Sequence, residues 1–414
     1  MSSNTQIKIL TVVGARPNFM KAAPIIRAVR EYNAQASGSR VQNLLVHTGQ
    51  HYDPIMSDQF FDDLGLPQPD VHLGVGSGSQ AAQTAEILQK FEGVLTQHSP
   101  DIVVVVGDVN STLACALATS KMPATADKAR PLVAHVEAGL RSFDRTMPEE
   151  INRIVTDHLA DLLFVTERSG LLNLRRESIP FEKIFFVGNT MIDSLLAAKD
   201  QADKSPILDE LGLRTSNNRN GSRGKTQPYA LLTLHRPANV DNAEAFQNIL
   251  QGLSELRDRL PIIFPVHPRT RKRIGEFAME RYLESSANER SSGIRLIDPL
   301  GYIDFLCLMK NARLVLTDSG GVQEETTCLG VPCVTIREST ERPVTIKYGT
   351  NMVAGTSSTG IRKAITRQMA RKLKPCVPEK WDGKAARRIV RVLANTVRKE
   401  LAVGSPGHHL VKKR

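Results

Sequence analysis

Carboxylates follow several apolar runs in the first half of the chain, at positions where they could transfer protons. Asp108 comes after the run 102–106, Glu137 after the run 132–136, and Glu149 lies a little further on. Taken singly, Glu149 is explained equally well as a first-turn helix carboxylate. Three such positions converging from neighbouring strand ends form a stronger signal, because crowded carboxylates have mutually displaced pKa values and suit acid–base catalysis.

Asp108 lies between a predicted strand and a predicted helix, and an Asp at such a position usually caps the helix. Asn110 and Ser111 lie nearer the helix start and are better placed to cap it. We therefore expect Asp108 to project into a cleft and to take part in the reaction.

The segment 318–325 reads Asp-Ser-Gly-Gly-Val-Gln-Glu-Glu and follows the apolar run 314–316. A buried strand that turns through Ser-Gly-Gly into a helix directs several backbone N–H groups at one point, and such helix N-termini bind phosphate. Glu324 or Glu325 could reach a sugar diol from the start of that helix. The pattern predicts a nucleotide site.

Basic residues stand near other strand ends. Arg16 and Lys21 flank a helix start and could hold a diphosphate, Arg as a planar fork and Lys as a point charge. A surface turn with a solvated Arg explains that motif about as well. His235 and Arg236 end the first strand of the second half, where one could bind phosphate and the other donate a proton. Arg342 could reach the same pocket, or form only a rim salt bridge of little energetic value.

Short apolar runs alternate with helical patterns through both halves, which is the sequence form of βαβ units and predicts the α/β class. Strands are predicted at residues 9–13, 44–47, 102–106, 132–136, 162–165, 184–187, 230–234, 262–266, 295–297, 314–317 and 333–336. Helices are predicted at residues 20–32, 80–97, 111–120, 243–257, 303–311, 322–329, 359–373 and 383–400.

A polar tract rich in Gly, Ser and Asn, within 203–227, reads as a surface loop near a domain boundary. We therefore expect domains at about 1–200 and 201–379. Each is predicted to be a Rossmann-like, doubly wound sheet, and the two to face each other across a cleft. Ligands would sit at the carboxyl ends of the strands.

The composition is that of a globular protein with two domains: 414 residues, 41% hydrophobic and 23% charged. The net charge of +11 suits either nucleic-acid binding or an anionic small substrate. The basic residues are spread along the chain, and aromatic residues make up only 5%, so few rings could stack on bases. We expect an anionic small substrate and no nucleic acid.

The five cysteines are scattered without CxxC spacing, which is typical of reduced core thiols in a cytoplasmic protein. Cysteines and histidines do not cluster, so no metal site is predicted. The polar N-terminus lacks the apolar core of a signal peptide, and no apolar run approaches membrane length. We expect no membrane partner.

Ordered motifs along the chain resemble those of the non-hydrolysing UDP-N-acetylglucosamine 2-epimerases, from about residue 7 to residue 355. The resemblance rests on Gly14-Ala15-Arg16-Pro17 with Lys21, Gly49-Gln50-His51, Gly107-Asp108, His135-Val136-Glu137-Ala138-Gly139-Leu140-Arg141, Pro148-Glu149-Glu150 with Asn152-Arg153, Val187-Gly188-Asn189-Thr190, His235-Arg236, Asp318-Ser319-Gly320-Gly321 with Gln323-Glu324-Glu325, and Thr340-Glu341-Arg342-Pro343. So many motifs in order make chance similarity implausible.

The resemblance implies the two-domain GT-B fold, a homodimer, and no need for a nicotinamide cofactor or a metal. It also implies that the last helix, about 380–402, packs back on the first domain. The implied reaction is reversible epimerisation at carbon 2 of UDP-N-acetylglucosamine, through loss and re-addition of UDP and a 2-acetamidoglucal intermediate. Such a reaction would supply cell-surface polysaccharide synthesis.

Site residues also follow from the resemblance. The positions implicated in catalysis are Arg16, Lys21, Asp108, Glu137, Glu149 and His235. Arg236, Ser319, Gly320 and Glu325 match the UDP-binding side, with Glu325 on the ribose hydroxyls. We also expect Gln50, His51, Arg141, Gly321 and Arg342 to bind substrate.

Two segments depart from the family pattern. A Gln-His-Arg-Gln loop, with which some bacterial members bind an activating second substrate, reads Gln-His-Tyr-Asp at 50–53, and Ser79 stands where an Arg would be expected. Both changes argue against such activation. Asn18 and Phe19 replace a Glu-Ala pair, which could mark a subfamily with a modified sugar.

Other functions stay open on sequence alone. They are a hydrolysing epimerase, an epimerase of a diacetamido or uronic-acid sugar, a GT-B glycosyltransferase, and a non-catalytic nucleotide-sugar sensor. The signatures at 107–112 and 318–321 favour the non-hydrolysing branch. The dense carboxylates of the first half argue against simple glycosyl transfer.

Overall fold

The chain divides into two compact units. Met1–Ser194 and Glu379–Arg414 form unit 1, and Leu195–Pro378 form unit 2. The structure is a computed structural model that describes residues 6–36, 40–50, 61, 63–125, 128–215, 224–283, 293–372 and 376–403, without the side chains of residue 16 and residues 399–403.

Unit 1 is built on a seven-stranded sheet in which every neighbouring pair is parallel. The strands are β1 Gln6–Val13, β2 Arg40–His47, β3 Val71–His72, β4 Ile102–Val106, β5 Leu132–Ala138, β6 Leu162–Val165 and β7 Ile184–Phe186, in the order β3-β2-β1-β4-β5-β6-β7. The helices are Arg16–Gln35, Gln80–His98, Asn110–Ser120, Pro148–Leu159, Arg168–Arg176, Thr190–Ala202, which runs across the unit boundary, and Ala385–Val403, with a 3-10 turn at Phe181–Lys183. All six strands predicted for this half are confirmed, and β3 was not predicted.

Both faces of this sheet are covered, as a doubly wound fold requires. Along β1, Leu10 and Val12 enter one apolar cluster and Ile7 and Ile9 the other, because successive side chains of a strand point to opposite faces. The first cluster includes residues of Gln80–His98 and Asn110–Ser120. The second includes Ile389, Val390, Leu393, Ala394 and Val397 of the late helix Ala385–Val403.

Unit 2 has a six-stranded sheet, again parallel at every pair. Its strands are β8 Ala230–Thr233, β9 Ile262–Pro265, β10 Ile294–Ile297, β11 Leu314–Thr317, β12 Cys333–Thr335 and β13 Asn351–Val353, in the order β10-β9-β8-β11-β12-β13. The helices are Ile207–Glu210, Pro237–Val240, Ala243–Gly252, Ser254–Arg257, Pro268–Glu276, Tyr302–Asn311, Gly320–Leu329, Pro343–Lys347 and Ser358–Ala370, with a 3-10 turn at Glu280–Tyr282. The five predicted strands are confirmed, and β13 was not predicted.

The single helix predicted at 243–257 is instead two, Ala243–Gly252 and Ser254–Arg257. A Cβ on Gly252 would lie 2.9 Å from the Cβ of Ile361, so only glycine lets these two chain segments approach so closely. Part of the polar tract, residues 216–223, lies outside the described residues. On either side of it, Arg214 and Thr226 form an antiparallel bridge.

Each sheet has one point where the strand order reverses. In unit 1 it lies between β1 and β4, and in unit 2 between β8 and β11. Loops that follow two such strands diverge to opposite faces and leave a crevice where ligands of doubly wound folds bind. The predicted α/β class with two doubly wound parallel sheets is confirmed. Within the described ranges, no helix combines the length and the apolar character needed to span a bilayer.

Candidate active site

A buried ion pair between Lys21 and Glu137 lies beside the reversal point of unit 1. Lys21 comes from the helix after β1, Glu137 from the end of β5, and each is about 5% exposed. Gly107, directly after β4, has φ +72°, and a Cβ there would lie 2.9 Å from the Lys21 Nζ and 3.4 Å from the Glu137 Oε2. Glycine at 107 therefore leaves room for the pair at the carboxyl end of β4.

The backbone of Glu137 is unusual. Its φ is +77°, in the left-handed region that few residues other than glycine adopt. It also sits in an irregularity of the β5–β6 ladder, where Val136 pairs with Phe164 and Ala138 with Val165. Bulges of this kind redirect a side chain, and strained backbone is common at functional sites. The bulge turns the Glu137 carboxylate to Lys21.

Asp108 is bound to a buried arginine. Its carboxylate lies 2.5 Å from Nη2 of Arg153, and Nη1 of Arg153 lies 2.6 Å from Glu150. Glu150, 1% exposed, also accepts hydrogen bonds from the backbone N–H groups of Ser142 and Phe143. The Asp108 side chain keeps 21% of its surface exposed. It is therefore an accessible carboxylate held in place by Arg153.

The capping expected of Asn110 and Ser111 was wrong. The helix begins at Asn110, so Val109 is its N-cap, and the Val109 side chain makes no capping bond. The Asn110 amide instead donates to Gln80 at 2.7 Å and to Gln83 at 2.9 Å. Asn110 thus joins the loop after β4 to the helix Gln80–His98.

Glu149 lies half-buried in the first turn of Pro148–Leu159, next to the fully buried Glu150. Asp108 follows β4, and Glu137 lies near the end of the adjacent strand β5. The helix that carries Glu149 reaches Asp108 through Arg153 one turn later. The three predicted carboxylates therefore come from elements that contact one another at one edge of the sheet.

Arg141 does not join this set. Its side chain is 1% exposed, and its guanidinium contacts Asp157 at 2.8 Å and Glu177 at 2.6 Å. Asp157 in turn lies 2.6 Å from the ring Nδ1 of His135 and accepts from the Gly139 N–H. The predicted role of Arg141 in substrate binding finds no support, because this network encloses its guanidinium.

The remaining predicted residues of unit 1 are placed as follows. The side-chain oxygen of Gln50 accepts from both the N–H and the hydroxyl of Ser111, so the amide is held inside the unit. His51 and the side chain of Arg16 lie outside the described part of the chain. Asn18 accepts from the backbone of the turn at 14–15 and is 1% exposed. Asn18 therefore shapes that turn from inside the unit. This placement gives no support to the prediction that Asn18 marks a subfamily with a modified sugar.

Asp318 organises the strand tips of unit 2. Its buried carboxylate accepts from the backbone N–H groups of His235 and Arg236 and from the Asn239 amide. The His235 Nδ1 lies 3.0 Å away, and that side chain is 53% exposed. Burial alone would raise the pKa of Asp318, but the His235 charge and these hydrogen bonds hold it below its ordinary value. Asp318 therefore orients the exposed His235 ring.

The glycine turn of unit 2 carries a buried cation. The helix Gly320–Leu329 starts after Ser319, whose side chain makes no capping bond. Arg342 lies against Gly320, where a Cβ would be 2.7 Å from the guanidinium carbon. Its Nε is 2.9 Å from Glu324, and it also pairs with Glu341. Arg342 is thus neither solvated nor at a rim, since it is 4% exposed.

Two further guanidinium groups lie near Glu341, the carboxylate that pairs with Arg342. Glu341 lies 2.9 Å from Arg337 and 4.0 Å from Arg236, in addition to its pair with Arg342. Burial is the main reason that the pKa of Arg337 is lowered. Three guanidinium groups against the two carboxylates of Glu341 and Glu324 leave a net positive charge beside the helix N-terminus, which favours an anion.

Glu325 is buried and accepts a hydrogen bond from the Tyr302 hydroxyl at 2.9 Å. Burial raises its pKa to about 8. Tyr302 was missed by sequence reasoning because nothing in its local pattern distinguishes it from an ordinary helix residue. Within the described ranges, no group of three or more His, Cys, Asp or Glu side chains could hold a metal ion.

Known proteins resemble this chain over most of its length. A family model described as UDP-N-acetylglucosamine 2-epimerase matches residues 33–394. A curated protein of Methanocaldococcus jannaschii, named UDP-N-acetylglucosamine 2-epimerase, is 43% identical over 94% of this chain and 99% of its own. One of Pseudomonas aeruginosa, named UDP-2,3-diacetamido-2,3-dideoxy-D-glucuronate 2-epimerase, is 37% identical over the same shares of each chain.

Solved structures agree as well. The crystal structure of the Methanocaldococcus jannaschii UDP-GlcNAc 2-epimerase in complex with UDP-GlcNAc and UDP matches with a TM-score of 0.81 and 41% identity. The match covers 94% of this chain and all of that one. The predicted GT-B class of two Rossmann-like domains is confirmed. The chain belongs to the UDP-N-acetylglucosamine 2-epimerase family.

Proposed function

We propose that this protein reversibly converts UDP-N-acetylglucosamine to UDP-N-acetylmannosamine, by eliminating UDP and adding it back without hydrolysis. The observation that carries the proposal is the buried Lys21–Glu137 pair, set on a strained bulge at the reversal point of the sheet. Family membership supports the substrate class, since relatives named for UDP-GlcNAc epimerisation match nearly the whole chain.

The chemistry explains why several carboxylates are needed. No carbonyl flanks carbon 2 of the sugar, so its proton is not acidic in the intact substrate. As the anomeric carbon–oxygen bond breaks and UDP departs, positive charge on the ring makes that proton removable. A carboxylate takes it and 2-acetamidoglucal forms. Re-addition of UDP at carbon 1, with a proton delivered to the other face of carbon 2, gives the epimer.

Glu137 or Asp108 is the base in this scheme, and Glu149 assists. Inversion needs a donor and an acceptor on different faces of the ring, and more than one carboxylate lies at this edge. Lys21 supplies the counter-charge that a buried Glu137 requires. Arg153 does the same for Asp108. Both carboxylates are therefore fixed in position before substrate arrives, which lowers the cost of reaching the transition state.

Unit 2 would hold the nucleotide. The first N–H groups of Gly320–Leu329, together with Arg236, would bind the diphosphate, and Glu325 would bind the ribose hydroxyls. Asp318 contacts the Nδ1 of His235, and about half of the His235 side chain is exposed. The Nε2 of His235 would therefore contact the phosphate of the departing UDP. Ser319 and Gly321 complete the turn. Arg342, paired with two glutamates, would position this turn rather than contact phosphate itself.

Deuterium exchange tests the proposal. Incubation with UDP-N-acetylglucosamine in deuterated water should place deuterium on carbon 2 and yield the manno epimer, as followed by NMR. Glu137→Gln should abolish this exchange while UDP affinity changes little. Normal wash-in by that variant would remove Glu137 from the role of base. Release of free UDP in step with product would indicate a hydrolysing enzyme instead.

A second candidate is epimerisation of a diacetamido uronic-acid sugar nucleotide. It is favoured by the 37% identity to the Pseudomonas aeruginosa protein named for that activity. Comparing kcat/KM for the two sugar nucleotides would distinguish them. A higher value for the uronate would make it the substrate.

We also propose that the protein forms a homodimer. The resemblance of its ordered motifs to the non-hydrolysing epimerases supports this. Light scattering coupled to gel filtration should give twice the mass of the 414-residue chain. A single-chain mass across the micromolar range would contradict it.

A further inference from the structure

One buried carboxylate bonds to both sides of Glu137. Oδ1 of Asp157 lies 2.6 Å from Nδ1 of His135, two residues before Glu137. Oδ2 of Asp157 accepts from the N–H of Gly139, two residues after it, at 3.0 Å. Asp157 and His135 are both fully buried. A single side chain from the helix Pro148–Leu159 thus bridges the two ends of the segment 135–139, whose middle residue is Glu137.

On the first side, His135 extends the connection to β4. Its Nε2 lies 2.8 Å from the carbonyl oxygen of Gly107, and a carbonyl can only accept, so Nε2 carries a proton. Its Nδ1 faces Asp157, whose pKa is lowered: burial alone would raise it, but the charges of His135 and Arg141 prevail. The ring therefore ties Asp157 to the turn that passes Lys21.

On the second side, Gly139 is held at both of its peptide groups. Its N–H donates to Asp157, and its carbonyl accepts from the Asn173 amide at 2.9 Å. Its φ is +82°, and a Cβ there would lie 2.5 Å from the carbonyl oxygen of Gly170. The chain after Glu137 therefore has little room to shift.

A left-handed conformation at a residue other than glycine costs about 1–3 kcal/mol and persists only where its surroundings impose it. At Glu137 the surroundings on both sides converge on Asp157. If that bridge is lost, the segment can relax toward an ordinary strand, which alternates side chains between the two faces. The Glu137 carboxylate would then leave Lys21.

We propose that Asp157 is a positioning residue for catalysis, acting through His135 and Gly139 to hold Glu137 in its left-handed conformation. This inference rests on the proposed function, and specifically on Glu137, of its two candidate bases, taking the carbon 2 proton. Asp157 does not contact the substrate in this scheme. Its effect should therefore appear in the rate of proton transfer and not in nucleotide binding.

Asp157→Asn provides the test. It keeps the size of the side chain but removes its negative charge and replaces one acceptor oxygen with an NH2 donor, which must face His135 or one of the donors Gly139 and Arg141. The carbon 2 deuterium exchange rate should fall on the order of 10²-fold, the effect of about 1 Å of misplacement. KM for UDP-N-acetylglucosamine and the Kd for UDP should stay within about threefold.

Glu177→Gln is the matched control. Glu177 belongs to the same network, yet it bonds to Arg141 and not to the residues beside Glu137. Its exchange rate should remain within about threefold of wild type. Circular dichroism and thermal unfolding establish that each variant is folded before rates are compared. If Asp157→Asn does not fold, His135→Gln is measured in its place, with the same expected loss of kcat alone.

Glu137→Gln is measured in parallel, so that the role of Glu137 as base and the positioning role of Asp157 are tested separately. If it exchanges normally, the base assignment in the proposed function fails. If it is inactive while a folded Asp157→Asn exchanges at the wild-type rate, only the positioning role is overturned. An equal loss of rate and of UDP affinity in Asp157→Asn also overturns it, since that indicates general disruption. The same holds if neither Asp157→Asn nor His135→Gln folds.

Discussion

The guanidinium of Arg153 lies 2.5 Å from Asp108 and 2.6 Å from Glu150, so one buried cation serves an accessible carboxylate and a buried one. Glu150 also accepts hydrogen bonds from the backbone N–H groups of Ser142 and Phe143, and so fixes the loop after β5. Asp108 keeps 21% of its side chain exposed. The same arginine therefore links the stability of the unit to the placement of a proposed catalytic group.

Arg153→Met should destabilise unit 1 strongly. Removing one partner of a buried ion pair leaves an uncompensated charge on Glu150 and costs about 3–5 kcal/mol. Urea denaturation followed by circular dichroism measures the loss. Arg168→Met is the control, because Arg168 and Glu379 form an exposed pair whose loss should cost about 1 kcal/mol or less. Equal losses in the two variants would contradict the assignment.

Asp193 should make stability depend on pH between about 4 and 6. It accepts from the N–H groups of Ala385 and Ala386, and burial raises its pKa from 3.8 to about 6. The folded state therefore holds a proton that the unfolded state has released, so its stabilising contribution is present below pH 4 and is lost as pH rises through 6. The shift corresponds to about 3 kcal/mol.

Urea denaturation of wild type and Asp193→Asn across pH 4 to 7 measures this effect. The free energy of unfolding of wild type should fall relative to the variant as pH rises, because an amide does not ionise. Parallel curves for the two proteins would show that Asp193 does not titrate in this range.

Tyr302→Phe should weaken UDP binding. The variant removes the hydroxyl that donates to Glu325, which we propose binds the ribose. The loss of one buried hydrogen bond is worth about 0.5–1.5 kcal/mol, or roughly a 2- to 13-fold increase in Kd. Calorimetry with UDP measures it. Tyr229→Phe, which removes a buried bond to Leu308 elsewhere in unit 2, should leave the Kd unchanged.

Gly320→Ala should also impair UDP binding, by at least about tenfold. The new Cβ would lie 2.7 Å from the guanidinium carbon of Arg342 and 3.0 Å from Glu341, so the paired side chains must move from the helix start. Gly93→Ala is the control, because nothing lies within 4 Å of a Cβ there. It should bind UDP normally and gain about 0.5–1 kcal/mol of stability. Wild-type affinity in Gly320→Ala would contradict the close approach.

Sequence reasoning found the strands that belong to continuous apolar runs and missed β3 and β13. Val103 and its neighbours in β4 form an unbroken buried run, which identifies a central parallel strand directly. The two-residue β3 reads Val-His and the three-residue β13 reads Asn-Met-Val, so neither stands out as an apolar run. Their place at the edge of each sheet depends on neighbouring strands, which local sequence does not encode.

At the site, sequence located Glu137 and Asp108 at strand ends but gave no account of what holds them. A left-handed φ at a glutamate has no sequence signal, whereas one at Gly107 does. Asp157 and Arg153 were missed as partners because they lie within a helix. One signal was present: Glu150, Arg153 and Asp157 are spaced i, i+3, i+7, so charged residues occupy the stripe that normally carries apolar side chains.

Unit 1 takes its covering helix from far along the chain. Ala385–Val403 places Ile389, Val390 and Leu393 on the sheet face that Ile7 and Ile9 share, and the whole of unit 2 is encoded in between. During synthesis, the part of that face covered by Ala385–Val403 stays exposed until unit 2 has been made, although Ile25, Ala28 and Val29 of Arg16–Gln35 pack on the same face. The nascent chain is thus open to aggregation and to chaperone binding at this patch while unit 2 is being synthesised.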